Sequence, residues 1–342
     1  FFAESWRRGL DVKFGLAAFV MQAFCMAPSS ALGVVLMFYL LRFLHGSDRL
    51  ALWLALLYAF GTPVFFRTGF FNHNLMMGHI VFAGFIALWN PGRLLPWSSR
   101  TRYVVAGLCG GTAVLFDYSG VIFLGTLALY GCAQAFRRLG GREILRFAAW
   151  YTLGTLGPIL LLWFYQWRSF GHPFYPGQHW MPPVEWIELG YQGYGWPQLE
   201  LMISLAFDYR FGLFVVAPVL ILGVLYPLFV RRGERVIPGL ELLFLLGTFA
   251  ALWVFFSGSN YTRLQYNTGM RYMAPILPFL FVPSSTLLVR LWRPLIATIV
   301  LVSIVISWPL AMYRDVESGL GVLNPILSTC IGGFQLPALR TI

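Results

Sequence analysis

Charge is scarce in this chain. Only 11% of its 342 residues are Asp, Glu, Lys or Arg, against roughly 25% in soluble domains. With 58% of the chain hydrophobic, a water-facing exterior would have to be largely apolar, which excludes an ordinary soluble fold. Lysine is almost missing: Lys13 is the one lysine among 24 cationic residues. Cysteine is equally sparse. Cys25, Cys109 and Cys132 fall inside apolar runs, Cys330 lies near the end, and no CxxC spacing occurs. This argues against a zinc ribbon or a disulfide framework. Period-two alternation is lacking as well, which argues against a β-barrel. No GxSxG, HExxH, P-loop or GxGxxG context is found. The net charge of +11 comes from arginines scattered in short loops. No basic run is interleaved with aromatics, so nucleic acid is not an expected partner.

What the chain has is long apolar runs. They cover 16–43 (interrupted by Pro28-Ser29-Ser30), 50–66, 75–89, 103–116, 121–136, 147–167, 211–230, 239–256, 273–291 and 295–312. The pattern predicts an all-α, polytopic transmembrane bundle of about ten segments. Several runs are shorter than the roughly 20 residues that span a bilayer, so they must tilt or shelter behind neighbours. Alternate loops hold Arg42 and Arg49; Arg93, Arg100 and Arg102; Arg137, Arg138, Arg142 and Arg146; Arg231, Arg232 and Arg235; Arg290 and Arg293, which is 14 arginines. The opposite set holds seven: Arg67, Arg168, Arg210, Arg263, Arg271, Arg314 and Arg340. The positive-inside rule puts the richer set in the cytoplasm. The membrane domain is then 1–312, with an outer aromatic loop at 168–210 and an outer tail at 313–342. The expected location is a bacterial inner membrane with loop and tail on the periplasmic side, and membrane lipids are the expected surroundings. The stretch 1–14 is amphipathic and charged without a signal-peptide pattern, and a further N-terminal piece is expected before Phe1.

Candidate site residues lie on the outer side. Asp117, at a turn between two short helices, is either a helix cap or a functional carboxylate. His73, in Phe71-Asn72-His73-Asn74, is a polar contact for a headgroup or sugar, with Asn72 or Asn74 as the cap. His73 and His79 are six apart, which does not suit a metal pair. Arg210 can meet a phosphate or pair with Asp208. Arg263 and Arg271 precede a proline-bearing helix, and Arg271 can bind an anionic group bidentately or snorkel to the headgroups. Glu185 and Glu188 lie three apart in the long loop, as a candidate base or a solvated face. That loop also carries Trp180, Trp186, Trp196, Tyr175, Tyr191 and Tyr194, either as a cap over a site or as an interfacial belt.

Three stretches carry a family resemblance. In 51–88 an apolar helix ends at Gly61-Thr62-Pro63 and a short outer turn leads to His73. Phe170-Gly171-His172-Pro173-Phe174-Tyr175-Pro176-Gly177 precedes the aromatic loop and Arg210-Phe211-Gly212-Leu213-Phe214. Gly269-Met270-Arg271-Tyr272-Met273-Ala274-Pro275-Ile276-Leu277-Pro278 is similar to a Gly-x-Arg-Tyr ahead of a proline-bearing helix. Together they resemble the GT-C superfamily of membrane glycosyltransferases, in particular the bacterial relatives of protein O-mannosyltransferase and aminoarabinose transferase.

The resemblance implies a GT-C-like bundle that transfers a sugar from a polyprenyl-phosphate donor to an acceptor hydroxyl at the outer face, with inversion. It implies no further cofactor and gives no metal ligands. Arg271, Arg210, Arg263, His73 and Tyr272 are the substrate-binding candidates. The family's catalytic acid lies in its first outer loop, and by the order of elements that loop would precede Phe1. Within this chain Asp117 is the candidate base. The alternatives are a non-catalytic GT-C-like accessory subunit of a membrane complex and, third, a transporter.

Overall fold

A computed structural model describes residues 17, 19–69, 72–182, 190, 193–264, 270–313, 316 and 319–335, without the side chains of residues 138, 139, 178, 263 and 264. The chain is all-helical, and no strand forms among the described residues. Each of the ten apolar stretches coincides with a helix or a group of helices, but they are not equivalent. Five helices are long and apolar enough to cross a membrane: α1 (Phe19–His45), α6 (Gly120–Leu139), α7 (Gly141–Phe170), α11 (Gly239–Ser257) and α13 (Arg293–Met312). The others are α2 (Asp48–Phe60), α3 (Val64–Thr68), α4 (His73–Trp89), α5 (Ser99–Phe116), α8 (Leu199–Phe207), α9 (Leu213–Val216), α10 (Ile221–Phe229), α12 (Leu277–Leu288) and α14 (Leu323–Gly332).

Local chemistry sets these boundaries. The Ser47 hydroxyl accepts the Leu50 N–H at 3.3 Å to start α2, and Ser98 does the same for Thr101 at 3.2 Å to start α5. Helix α5 therefore begins four residues before the expected apolar run, and its 18 residues reach about 27 Å at 1.5 Å per residue. The run expected at 211–230 is broken. Ala217 precedes Pro218 and leaves the helical region (φ −137°, ψ 72°), as a residue before proline is pushed to do. The tail has structure of its own. It forms α14, which packs against α13, and the Tyr313 hydroxyl donates to the Gly333 carbonyl at 3.1 Å.

Burial separates inner from outer helices. All 12 residues of α12 and 13 of the 17 residues of α4 are buried, so these short helices shelter inside the bundle. Helices α1, α7 and α13 present large apolar side chains outward. Between helices in lipid, close packing replaces the hydrophobic effect as the main attraction. The contact of α5 with α7 shows how. A Cβ on Gly107 would sit 1.9 Å from the Tyr151 carbonyl oxygen, and one on Gly154 would sit 2.1 Å from the Val104 carbonyl oxygen. The two backbones touch, and the Thr155 hydroxyl donates to the Gly107 carbonyl at 3.1 Å.

The loops gather at two ends. At one, Phe43 lies against Gly92, Arg290 pairs with Glu234, the Tyr103 hydroxyl donates to Glu143, and Tyr130 and Gln134 donate to buried Glu241. Arginines here finish helices: Arg102 reaches the Ala87 and Leu88 carbonyls of α4, and Arg235 the Pro227 and Val230 carbonyls of α10. At the other end His73 meets Asp117, Gln166 donates to Tyr118, and the Val322 N–H donates to the Tyr209 carbonyl. The first is the arginine-rich end and the second the arginine-poor end.

Gly107→Leu is expected to destabilise the protein by about 3 kcal/mol, the upper part of the overpacking range, because backbone opposes the new side chain. Gly157→Leu, where no atom lies within 4 Å of an added Cβ, is expected to be neutral. Thermal unfolding of the two variants in one detergent checks the pair, and equal losses would show that the α5–α7 contact is not tight.

Candidate functional site

The candidate site lies at the arginine-poor end. At the end of α5 the backbone turns extended at Asp117 (φ −158°, ψ 142°) while its N–H still reaches the Ala113 carbonyl. The Asp117 carboxylate then does two things. Its Oδ1 accepts the Ser119 N–H at 2.8 Å, tying the turn that opens α6. Its Oδ2 lies 3.2 Å from His73 Nε2. A carboxylate only accepts, so the imidazole proton of this contact sits on Nε2. His73 stands on the first turn of α4, directly after the Asn72 cap, whose Oδ1 accepts the Asn74 N–H at 2.9 Å. Both readings of Asp117 thus hold: one oxygen shapes the turn and the other faces a histidine. The pair keeps access to its surroundings, with 33% of the His73 side chain and 30% of the Asp117 side chain exposed.

Burial pushes the Asp117 pKa up. Hydrogen bonds from His73 and Ser119, with the His73 charge, outweigh it and hold the group below its ordinary 3.8. The Asp117 charge reaches two tyrosines. Burial first and this charge second raise Tyr194 to about 12, and Tyr272 is raised mainly by burial, with Asp117 contributing.

The cations come from α3 and from the segment before α12. Arg67 is 1% exposed, donates Nη2 to the Met270 carbonyl and lies over the Phe66 ring at 5.5 Å. Burial, and then the charge of Arg271, lower its pKa to about 9. The Arg271 guanidinium sits 5.3 Å from the centre of the Tyr272 ring, which packs on Phe256 at 4.9 Å. A close approach aligns this segment with α4: a Cβ on Gly78 would lie 2.7 Å from the Pro275 Cα. Two guanidiniums close enough to act on each other can together meet an anionic group.

The aromatic loop is fastened at the same end. Residues 193–198 run antiparallel to 257–260, with Gly195 N–H to the Gly258 carbonyl at 2.8 Å, Asn260 N–H to the Gly193 carbonyl at 2.9 Å and Gln198 N–H to the Ser257 carbonyl at 2.9 Å. This places Tyr194 against Phe255 (5.2 Å) and Tyr261 (5.9 Å). Both side-chain amide atoms of Asn74 and the Tyr261 hydroxyl are buried without a hydrogen-bond partner among the described residues. Unsatisfied buried polar groups are costly, and such groups at this end suit a hydroxyl-rich ligand.

Of the candidates read from sequence, His73, Asp117, Arg271 and Tyr272 thus come together. Arg210 is engaged differently: its Nε and Nη2 grip Asp208 at 3.1 Å each, between the Tyr209 and Phe211 rings. The Arg263 side chain, Glu185 and Glu188 lie outside the described residues. His79 is a separate contact, 3.0 Å from the Tyr58 hydroxyl. Sequence reasoning did not single out Arg67 as a site residue. Its signal was membership of the arginine-poor set, directly after Gly61-Thr62-Pro63.

A carboxylate whose pKa is lowered on folding adds stability above its ordinary pKa and loses it as pH falls through the folded value. Acid unfolding of the wild type is therefore expected to steepen below about pH 4, and Asp117→Asn is expected to remove that part of the dependence. Replacing His73 by Phe is expected to raise the Asp117 pKa, because burial then acts with less opposition. A pH series of unfolding temperatures checks both, and an unchanged profile in Asp117→Asn would show that the dyad contributes no linkage. No family model, curated protein or solved structure matches the chain, so its function must be read from this constellation.

Proposed function

We propose that the chain is a membrane glycosyltransferase of the GT-C type, moving a sugar from a polyprenyl phosphate to an acceptor hydroxyl at its arginine-poor end. The observation that carries the reading is the convergence of the Asp117–His73 dyad with Arg271, Arg67 and Tyr272. The arginine balance of the loops supports placing this end outside the cytoplasm, in a bacterial inner membrane. A donor whose sugar is already activated on a lipid phosphate needs no nucleotide-binding motif.

The chemistry is one displacement. The acceptor oxygen bonds to the anomeric carbon as the bond from that carbon to the phosphate oxygen breaks. The acceptor proton passes to the Asp117 carboxylate, and polyprenyl phosphate leaves with the bond's electron pair. Asp117 is a weak base, so the proton is lost late, once the sugar carries oxocarbenium character that the carboxylate also stabilises. Arg271, with Arg67 behind it, offsets the charge on the departing phosphate. His73 acts through Asp117 as a positioning residue. Tyr272, Tyr194 and the unpartnered side-chain amide of Asn74 bind sugar faces and hydroxyls.

The test reconstitutes the full chain in proteoliposomes with short-chain polyprenyl-phosphate pentoses and hexoses. Asp117→Asn is expected to lower kcat by about 100-fold or more. Arg271→Ala is expected to raise the donor KM by about tenfold. Wild-type kinetics in both variants would remove the site from the mechanism. Donor binding by the wild type without transfer would instead favour the accessory-subunit reading.

A further inference from the structure

The loop from α4 to α5, at the opposite end of the bundle, has a site of its own. Between Asn90 and Arg102 the sequence carries Arg93, Arg100 and Arg102 and neither Asp nor Glu. The loop surrounds a cavity of about 670 Å³ lined by Asn90, Arg93, Leu95, Pro96, Trp97 and Arg102. Its frame is tied from within: the Asn90 side chain accepts the Leu95 N–H at 2.8 Å and donates to the Leu95 carbonyl at 3.1 Å. Buried Arg102 reaches across the cavity base to the α4 carbonyls and to the Ser99 hydroxyl at 3.4 Å. Trp97, 44% exposed, stands at the rim.

The backbone singles out the same place. Asn90 (φ 49°) and Arg93 (φ 58°) are the two non-glycine residues with positive φ among the described residues, and both line this cavity. Asn90 has a local reason, since it ends α4 and asparagine tolerates the left-handed region. Arginine has no such tolerance. A strained residue kept at the wall of a polar cavity points to a ligand that its side chain holds.

We propose that this cavity binds the phosphate of an anionic phospholipid from the leaflet at the arginine-rich end. The Arg93 guanidinium grips the phosphate oxygens bidentately, and Arg102 supplies a second positive charge from the cavity base. The apolar walls of Leu95 and Pro96 take the glycerol backbone, and Trp97 lies at headgroup level as interfacial tryptophans do. Basic pockets between membrane helices on the positively charged side suit such headgroups. The site shares no residue with the proposed transferase centre.

The probes are dioctanoyl-phosphatidylglycerol, dioctanoyl-phosphatidylcholine and inorganic phosphate, each titrated onto the full chain in neutral detergent, with unfolding temperature and native mass spectrometry as readouts. The expected result is saturable stabilisation by phosphatidylglycerol alone. It is expected to weaken by about tenfold in Arg93→Ala and to stay unchanged in Arg232→Ala, an exposed arginine of another loop at the same end. Arg93→Gly relieves the backbone, so it is expected to lose the lipid while its ligand-free unfolding temperature holds or rises, which separates a lost ligand from a damaged fold. Wild-type lipid affinity in Arg93→Ala, or equal weakening by Arg93→Ala and Arg232→Ala, would overturn the site. Inorganic phosphate binding as tightly as the lipid would overturn the lipid as its occupant.

Discussion

Helices surrounded by lipid gain little by hiding apolar surface from it, so where backbones can touch decides how they stack. In this chain glycine sets those places. Gly107 and Gly154 bring α5 and α7 into backbone contact, and Gly78 lets Pro275 settle on α4. The second contact matters most for the chemistry. It sets the segment carrying Met270, Arg271 and Tyr272 against α4, close to the helix start that bears His73. The tie from Arg67 to the Met270 carbonyl fixes the same segment from the other side. Asp117 is delivered independently, by the turn that joins α5 to α6. The site is therefore a meeting of α3, α4, the turn from α5 to α6 and the segment before α12.

The charged residues divide along the same axis. At the arginine-rich end, guanidiniums finish helix termini or pair with carboxylates, as Arg102, Arg235 and Arg290 do. Of the buried acids there, Glu143 meets Tyr103 and Arg146, and Glu241 meets the neutral donors Tyr130 and Gln134. At the arginine-poor end few charges occur, and the ones that converge influence one another: Arg271 acts on Arg67, His73 on Asp117, and Asp117 on Tyr194 and Tyr272. Such coupling is what a site for a charged leaving group needs, because stabilisation has to be in place before charge develops.

Much of this was legible in the residues. Apolar run length marked where helices lie and Gly61-Thr62-Pro63 marked where one ends, but the break at Pro218 inside the run 211–230 was not read. Asp117 could be singled out because a carboxylate at membrane helix ends is costly without a use, Arg271 because a guanidinium at a helix entry can hold an anion, His73 as a polar contact at a helix start, and Tyr272 through the Gly-x-Arg-Tyr resemblance. That His73 and Asp117 touch was not legible, since they are 44 residues apart and no local rule pairs two helix ends. Arg67 was overlooked because a lone arginine after a helix reads as a snorkelling residue, and only burial reveals otherwise. Tyr194 was one aromatic among many until its bridge to Ser259 set it beside the dyad. Helix α14 escaped notice because its ten residues, with Asn324 and Pro325 near the start, make too short an apolar run to separate from loop.

The central claim is that one anion-binding and sugar-binding site lies where α3, α4, the turn from α5 to α6 and the segment before α12 meet. A cryo-electron microscopy structure of the full chain with a short-chain polyprenyl-phosphate sugar tests it most directly. The account expects the phosphate on Arg271, with Arg67 behind it, and the sugar between Tyr272 and Asp117. Donor phosphate density on Arg210, with the Asp117–His73 pair unoccupied, would contradict it.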